Sequence, residues 1–144
     1  MLCHVRLVLD TSVIVAALRS QSGASNALMR LIPMRRIEPL ACPPLFLEYE
    51  EVLLRPEQRL AHGLSIEQVN QFLAELAVWI RPVELHFRWR PQVTDPGDEM
   101  VLETAINGGA DALVTHNVRH FLTASRRFDL PVLTPQETLW RLNR

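Results

Sequence analysis

Short apolar runs alternate along the chain with longer stretches in which apolar residues recur at helical spacing. The first run, VRLVL at residues 5–9, is rich in leucine and β-branched residues and predicts a buried strand. Four more runs predict strands at residues 37–42, 81–85, 110–115 and 131–133. Pro39 argues against a central position for the second strand, because proline cannot donate a hydrogen bond to a neighbouring strand.

Helices are predicted between these strands. Two of them have clear start signals: Ser65 is followed three residues later by Gln68, and Thr134 by Glu137, which is the capping-box pattern. The other helices are predicted at residues 13–18, 24–32, 43–55, 97–107 and 118–122. Strands separated by helices in this way predict a three-layer α/β/α fold around a mostly parallel sheet.

Composition and charge fit one globular domain over residues 1–144. Apolar residues make up 48% of the chain and charged residues 22%, which argues against disordered and fibrous classes. The net charge of -1 gives no overall basic field, so a pure nucleic-acid-binding module is disfavoured. No apolar run could span a bilayer and no signal-peptide pattern is present, so we expect a cytoplasmic protein without membrane contact. Cys3 and Cys42 lack zinc-binding spacing and are expected to be free thiols.

Asp10 ends the first predicted strand, with apolar residues close on both sides. Burying a charge without a partner costs roughly several kcal/mol, so this carboxylate needs a ligand or a structural role. An aspartate at a strand-to-helix junction is often only an N-cap, and the two roles are equally open here. Thr11 or Ser12 is an alternative cap for the helix over residues 13–18.

Four further acidic residues lie on or beside predicted helices: Glu48, Asp95, Asp98 and Glu99. Carboxylates gathered from separate elements repel one another, and a hard divalent cation such as Mg²⁺ or Mn²⁺ makes that arrangement favourable. Each residue also has a structural alternative. Glu48 could be a solvated helix residue, and negative charge in the first turn of a helix is stabilised without any function.

Four motifs span nearly the whole chain, in the order LVLDTSVIVAAL, LFLEYEEVL, DPGDEMVLETAINGGADALVTHN and LPVLTPQE. In this combination they resemble the PIN-domain nucleases, in particular the bacterial branch of toxins from toxin-antitoxin systems. The resemblance implies an α/β fold with a central parallel sheet, an acidic cluster that holds Mg²⁺ or Mn²⁺, and cleavage of RNA phosphodiester bonds. It further implies an antitoxin protein as partner and a homodimer or higher oligomer.

By position, the resemblance assigns catalytic roles to three acids, Asp10, Glu48 and Asp98. These three, together with Asp95 in the preceding turn, would hold the metal. The residues expected to support the site are Thr11, Ser12, Glu99, Thr115, Asn117 and His120.

The chain departs from the family pattern after Thr115. Members commonly place a further aspartate in this stretch, whereas this chain reads THNVRHF, with Asn117 and His120 in the region concerned. His120 is either a metal ligand or proton carrier, or merely structural. The departure keeps open a weakly active or inactive PIN-like protein that binds RNA or a partner. A Mg²⁺-dependent phosphatase with Asp10 as nucleophile is less favoured, because Ser12 stands where the D-x-D-x-T motif needs its second aspartate.

An RNA backbone needs nearby cations to approach an acidic cluster. The candidates are Arg35, Arg36, the HFRWR stretch at 86–90, Arg119, Arg126 and Arg127. Within HFRWR, Phe87 and Trp89 either stack on unpaired bases or face the core from an edge strand. Trp79 and Trp140 are expected in the core.

Overall fold

The computed structural model describes residues 4–86 and 95–143, which include a five-stranded sheet. The strands are Val5–Leu9 (β1), Ile37–Ala41 (β2), Arg81–Pro82 (β3), Ala112–Val114 (β4) and Val132–Leu133 (β5). All four strand pairs are parallel, and the strand order is β3-β2-β1-β4-β5. Parallel strands need crossover connections, which helices supply here. The predicted three-layer α/β/α fold is confirmed.

Eight α-helices connect the strands in the described residues. They are Thr11–Arg19 (α1), Ala24–Leu31 (α2), Pro43–Leu53 (α3), Pro56–His62 (α4), Ile66–Trp79 (α5), Pro96–Gly108 (α6), Leu122–Phe128 (α7) and Pro135–Leu142 (α8). A 3-10 helix at Val118–Phe121 leads into α7. Across residues 4–86 and 95–143, no helix combines the length and the apolar character that crossing a bilayer requires.

β1 is the central strand, and its side chains lie in the middle of the core. Leu7, Val8 and Leu9 are at most 2% exposed, because helices cover both faces of a parallel sheet. β2 and β4 flank β1, so the strand order reverses direction beside it. In open α/β sheets, ligands bind beyond the carboxyl ends of the strands at such a reversal. The residue that follows β1 therefore lies where a ligand is expected.

Pro39 does not put β2 at the edge of the sheet, contrary to the prediction. β2 lies between β1 and β3, with Pro39 opposite Leu7. β3 is only two residues long and pairs with Leu40 and Ala41. Its pairing therefore begins just after the proline, which has no N–H to contribute.

The start signals predicted for two helices are confirmed. Ser65 and Gln68 exchange hydrogen bonds between side chain and backbone at the start of α5, at 3.1 and 2.9 Å. Thr134 and Glu137 make the same pair of bonds at the start of α8. At the end of α6, Gly109 adopts a left-handed φ of 62°, which a glycine tolerates without strain.

Two helical segments and one tryptophan differ from the predictions. The predicted helices do not include α4. It has no buried residue, so its sequence PEQRLAH has no apolar stripe that would indicate a helix. α7 extends the predicted piece over 118–122 as far as Phe128. Trp140 is 63% exposed on α8, so its assignment to the core is wrong, whereas Trp79 is partly buried against the core.

Cys42 is a buried free thiol, as predicted, and its sulfur accepts a hydrogen bond from Thr104 Oγ1 at 3.2 Å. Cys3 lies outside the described residues. The same is true of Phe87 and Trp89, so their proposed stacking on bases stays a prediction.

Candidate active site at the carboxyl edge of the sheet

Asp10 follows β1 directly, at the carboxyl edge of the sheet. Its N–H donates to Val114 O at 2.9 Å, and its side chain is 7% exposed. α1 begins at Thr11, so neither Thr11 nor Ser12 is the cap, and the Asp10 carboxylate makes no capping hydrogen bond. Instead, Oδ2 of Asp10 accepts hydrogen bonds from Ser12 Oγ at 2.8 Å and Thr115 Oγ1 at 2.7 Å. Asp10 thus occupies the predicted N-cap position of α1, but its side chain makes no capping hydrogen bond.

Glu48 extends from the side of α3 to the same edge. Thr11 Oγ1 donates to Glu48 Oε2 at 2.5 Å, which joins α1 to α3. The other oxygen, Oε1, lies 3.1 Å from the position that a Cβ on Gly97 would occupy, next to the start of α6. Glu48 is half-buried, whereas its neighbours Glu50 and Glu51 are exposed. The alternative of a solvated helix residue therefore describes those neighbours and not Glu48.

Tyr49 fixes the helix that carries Glu48. The sequence places this tyrosine only on the apolar stripe of α3, but its buried hydroxyl donates a hydrogen bond to Leu9 O at the end of β1. Burial first, and then the charges of Asp10, Cys42 and Glu48, raises the pKa of Tyr49 well above its usual value. Tyr49 therefore stays protonated and keeps α3 attached to the strand that ends in Asp10.

Asp98 lies in the first turn of α6, close enough to Asp10 for their charges to interact. Its side chain is 13% exposed. Burial and the charge of Asp10 raise the pKa of Asp98, and Asp95 adds to this, whereas the hydrogen bond and charge of His120 lower it. His120 Nδ1 lies 3.1 Å from Asp98 Oδ2. Ionisation of Asp98 is therefore less favourable than that of an exposed aspartate, and a nearby positive charge would favour it.

Asp95 caps α6. Its Oδ1 accepts hydrogen bonds from the N–H groups of Gly97 at 2.7 Å and Asp98 at 3.4 Å. This structural role accounts for one of its oxygens, and its role as a metal ligand stays a prediction. Glu99 is buried in the first turn of α6, where the helix dipole stabilises its charge, and its role as a supporting residue stays a prediction.

The loop after β4 completes this edge. Thr115 Oγ1 is buried and accepts a hydrogen bond from Asn117 N at 3.0 Å. His116 was not among the predicted residues, but its N–H donates to Ser12 Oγ at 3.3 Å and its Nε2 lies 3.2 Å from Ser25 Oγ. Ser25 is buried in the first turn of α2. Neither residue belongs to a motif that singles it out, and the contact appears only in the folded chain.

Gly97 is another residue whose importance the sequence does not reveal. A Cβ at this position would lie 3.0 Å from Asp95 Oδ1 and 3.1 Å from Glu48 Oε1. Both distances are tighter than ordinary van der Waals contact, so a larger residue would displace one or both carboxylates. The DPGD stretch contains this glycine, but the chain alone does not show that Glu48 passes beside it.

The donors at this edge suit a hard divalent cation. Carboxylate oxygens, here from Asp10, Glu48 and Asp98, are the ligands that Mg²⁺ and Mn²⁺ prefer. Among the described residues, no hydrogen bond reaches Asp10 Oδ1 and no arginine forms an ion pair with any of the three acids. Within residues 4–86 and 95–143, no group of three His, Cys, Asp or Glu side chains is placed so that it could hold a metal ion. Mutual repulsion keeps like charges apart, and a bound cation would reduce it.

The basic candidates divide between the two edges of the sheet. Arg35 and Arg36 precede β2 at its amino end, and Arg36 Nη2 donates to Leu142 O at 2.8 Å. The five residues of β2 rise about 3.3 Å each, so these arginines lie about 16 Å from the acidic edge. They do not lie beside the acids, and their contribution to RNA binding stays a prediction. Arg119 is exposed beside His120, on the same side as the acids.

Comparison with known proteins agrees with this fold. A family model described as a PIN domain matches residues 6–119. The crystal structure of VapBC2 from Rickettsia felis bound to a DNA fragment from their promoter is similar at a TM-score of 0.60 and 14% identity, covering 90% of this chain and 98% of that one. The structure of FitAB bound to an IR36 DNA fragment is similar at a TM-score of 0.55 and 19% identity, covering 90% and 94%. No curated protein matches the chain.

Proposed function

The chain belongs to the PIN-domain family, whose nucleases generally use divalent metal ions, and from that premise we propose that it is an endoribonuclease dependent on Mg²⁺ or Mn²⁺. One observation carries the proposal. Two hydroxyl groups, from Ser12 and Thr115, hold the buried carboxylate of Asp10 at the point where the strand order reverses. A structural carboxylate would be paired with a cation or would cap the helix, and Asp10 does neither among the described residues.

Asp10 and Asp98 would hold the ion, with Glu48 beside them. When bound, such an ion polarises a phosphate oxygen and activates the attacking water. Ser12 and Thr115 keep the Asp10 carboxylate in one orientation. Thr11 occupies Oε2 of Glu48, which leaves Oε1 to accept a proton from water or to orient it.

RNA is the proposed substrate because the family resemblance implies it and because an exposed cation lies on the acidic side. Arg119 stands next to His120 and can contact a phosphate that approaches the site. No sequence motif in the described residues indicates specific contacts to RNA bases, so recognition of the RNA would depend on its shape and its backbone.

A partner protein belongs to the same proposal. The resemblance implies the toxin of a toxin-antitoxin pair, and the similar VapBC2 and FitAB structures were both determined on DNA fragments. We therefore propose an antitoxin partner for this chain. A homodimer or higher oligomer and a cytoplasmic location are also proposed, on the family resemblance alone.

Cleavage of a mixed single-stranded RNA by the purified protein tests the catalytic proposal. We expect cleavage with Mn²⁺ or Mg²⁺, none with EDTA, and none by Asp10→Asn. Glu51→Gln is the matched control, because Glu51 is an exposed acid on α3 whose partner is Arg55; this variant should cleave normally. Cleavage that survives in Asp10→Asn would remove that residue from the mechanism.

Two other results would select the alternatives. RNA binding without cleavage under every metal condition would favour an inactive, binding PIN-like protein. Release of phosphate from p-nitrophenyl phosphate with intact RNA would favour a phosphatase.

A further inference from the structure

His120 places an imidazole nitrogen directly against the candidate metal site. Its Nδ1 lies 3.1 Å from Oδ2 of Asp98. The Asp98 side chain is 13% exposed and the His120 side chain 57%, so the ring covers the solvent side of a mostly buried carboxylate. Resting on the proposed function, we propose that His120 supplies a nitrogen ligand to this site and thereby makes it select Mn²⁺ over Mg²⁺.

The separation of the two side chains fits this role. Adjacent ligands of an octahedral ion with bonds of about 2.1 Å lie about 3.0 Å apart. The 3.1 Å between Asp98 Oδ2 and His120 Nδ1 has this length. Once the proton between these two atoms moves to Nε2 of His120 or to solvent, the carboxylate oxygen and the ring nitrogen could share one ion without a change in the backbone.

The chemistry of the ligand sets the preference. Mg²⁺ is a hard ion that takes oxygen ligands and rarely exchanges them for nitrogen, whereas first-row transition ions gain affinity from imidazole in the order Mn²⁺ below Co²⁺. A neutral imidazole in place of an acid also removes one negative charge from the site, which weakens Mg²⁺ most because its binding is mainly electrostatic. His120 in place of an acid therefore weakens the binding of Mg²⁺ more than that of Mn²⁺.

A purely structural pairing is the competing explanation, and the chain provides a control for it. His86 Nε2 lies 3.3 Å from Glu84 Oε2, and both side chains are exposed. His86 N donates to Asn107 Oδ1 near the end of α6, nine residues after Asp98, which is about 14 Å along the helix. This second imidazole-carboxylate pair is thus remote from the acidic edge.

Titration of the whole protein with Mg²⁺, Mn²⁺ and Co²⁺ by calorimetry at about pH 8 tests the inference. We expect wild type to bind Mn²⁺ at least about tenfold more tightly than Mg²⁺. His120→Asp should reduce this ratio about tenfold by restoring an oxygen ligand and a charge, and His120→Asn should weaken Mn²⁺ binding. His86→Asn should leave both affinities unchanged. The visible spectrum of bound Co²⁺ should shift in both His120 variants.

The outcomes separate this inference from the proposed function. The inference would be overturned if both ions bind but the ratio of their affinities and the Co²⁺ spectrum are the same in wild type and the His120 variants. The proposed metal site would not be affected by that result. Absence of binding by either ion, or binding undiminished in Asp10→Asn, would overturn the proposed function and this inference with it.

Discussion

Replacing Thr115 by valine removes one oxygen from the centre of the candidate site. Thr115 is fully buried, and valine has nearly the same shape, so the change tests the hydroxyl group and leaves no large cavity. That hydroxyl donates to Asp10 Oδ2 at 2.7 Å and accepts from Asn117 N at 3.0 Å. Both bonds are lost together in Thr115→Val.

The two losses differ in size. A hydrogen bond to a charged group contributes about 1.5 to 3 kcal/mol, and the Asp10 carboxylate keeps only the bond from Ser12. Asn117 is exposed, so its N–H can bond to water in the variant. Losing the hydrogen bond from Asn117 N to Thr115 therefore costs little. We therefore expect Thr115→Val to lower the free energy of unfolding by about 2 kcal/mol, or the melting temperature by roughly 6 °C for a chain of this size.

Thermal unfolding in EDTA measures this cost without any metal, and Thr115→Ser is the matched control because it keeps the hydroxyl and loses only a methyl group. The serine variant should retain metal binding and cleavage, and the valine variant should lose most of both. An unchanged melting temperature in Thr115→Val would refute the reasoning. So would an equal loss of metal binding in Thr115→Ser, since the methyl group and not the hydroxyl would then matter.

Three further changes test other parts of the site. Burial and the charge of Asp10 raise the pKa of Asp98, so metal-free wild type should lose stability as pH rises through that raised pKa. Melting curves against pH in EDTA should show this loss in wild type, and Asp98→Asn should lack it. Gly97→Ala should cleave RNA more slowly, because its Cβ crowds Glu48 Oε1 and the Asp95 carboxylate that caps α6; normal cleavage would contradict this. Mg²⁺ or Mn²⁺ at 100 times its dissociation constant should add about 2.7 kcal/mol to wild type and nothing to Asp10→Asn.

The fold was predictable because its signals are local. The capping boxes at Ser65 and Thr134 and the apolar run of β1 each lie within a few residues, and each element forms where expected. α4 was not predictable, because a helix without a buried residue carries no apolar stripe. Pro39 wrongly predicted an edge position for β2. Its missing N–H excludes only one hydrogen bond, and β3 pairs with the residues that follow the proline.

The candidate site was predictable only in part. The acids and the hydroxyl residues Thr11, Ser12 and Thr115 occur in motifs and could be named, but other contacts that build the site join distant parts of the chain. Ser25 contacts His116 across 91 residues, and Tyr49 contacts Leu9 across 40. Sequence patterns report spacing along one element and carry no information on such contacts. The position of Gly97 beside Glu48 likewise depends on how α3 and α6 pack together.

The same contacts explain why a buried, repelling pair of acids persists. If Asp10 turned away, its repulsion with Asp98 would relax, but the carboxylate would lose its hydrogen bonds from Ser12 and Thr115. Ser12 and Thr115 prevent this by fixing Oδ2, and Tyr49 and Thr11 fix the helix and side chain of Glu48 in the same manner. Repulsion that cannot relax by rotation can relax only by protonation, which the raised pKa of Asp98 reflects, or by a cation. The hydroxyl groups thus contribute stability of their own while they hold Asp10 where a bound ion would relieve its repulsion with Asp98.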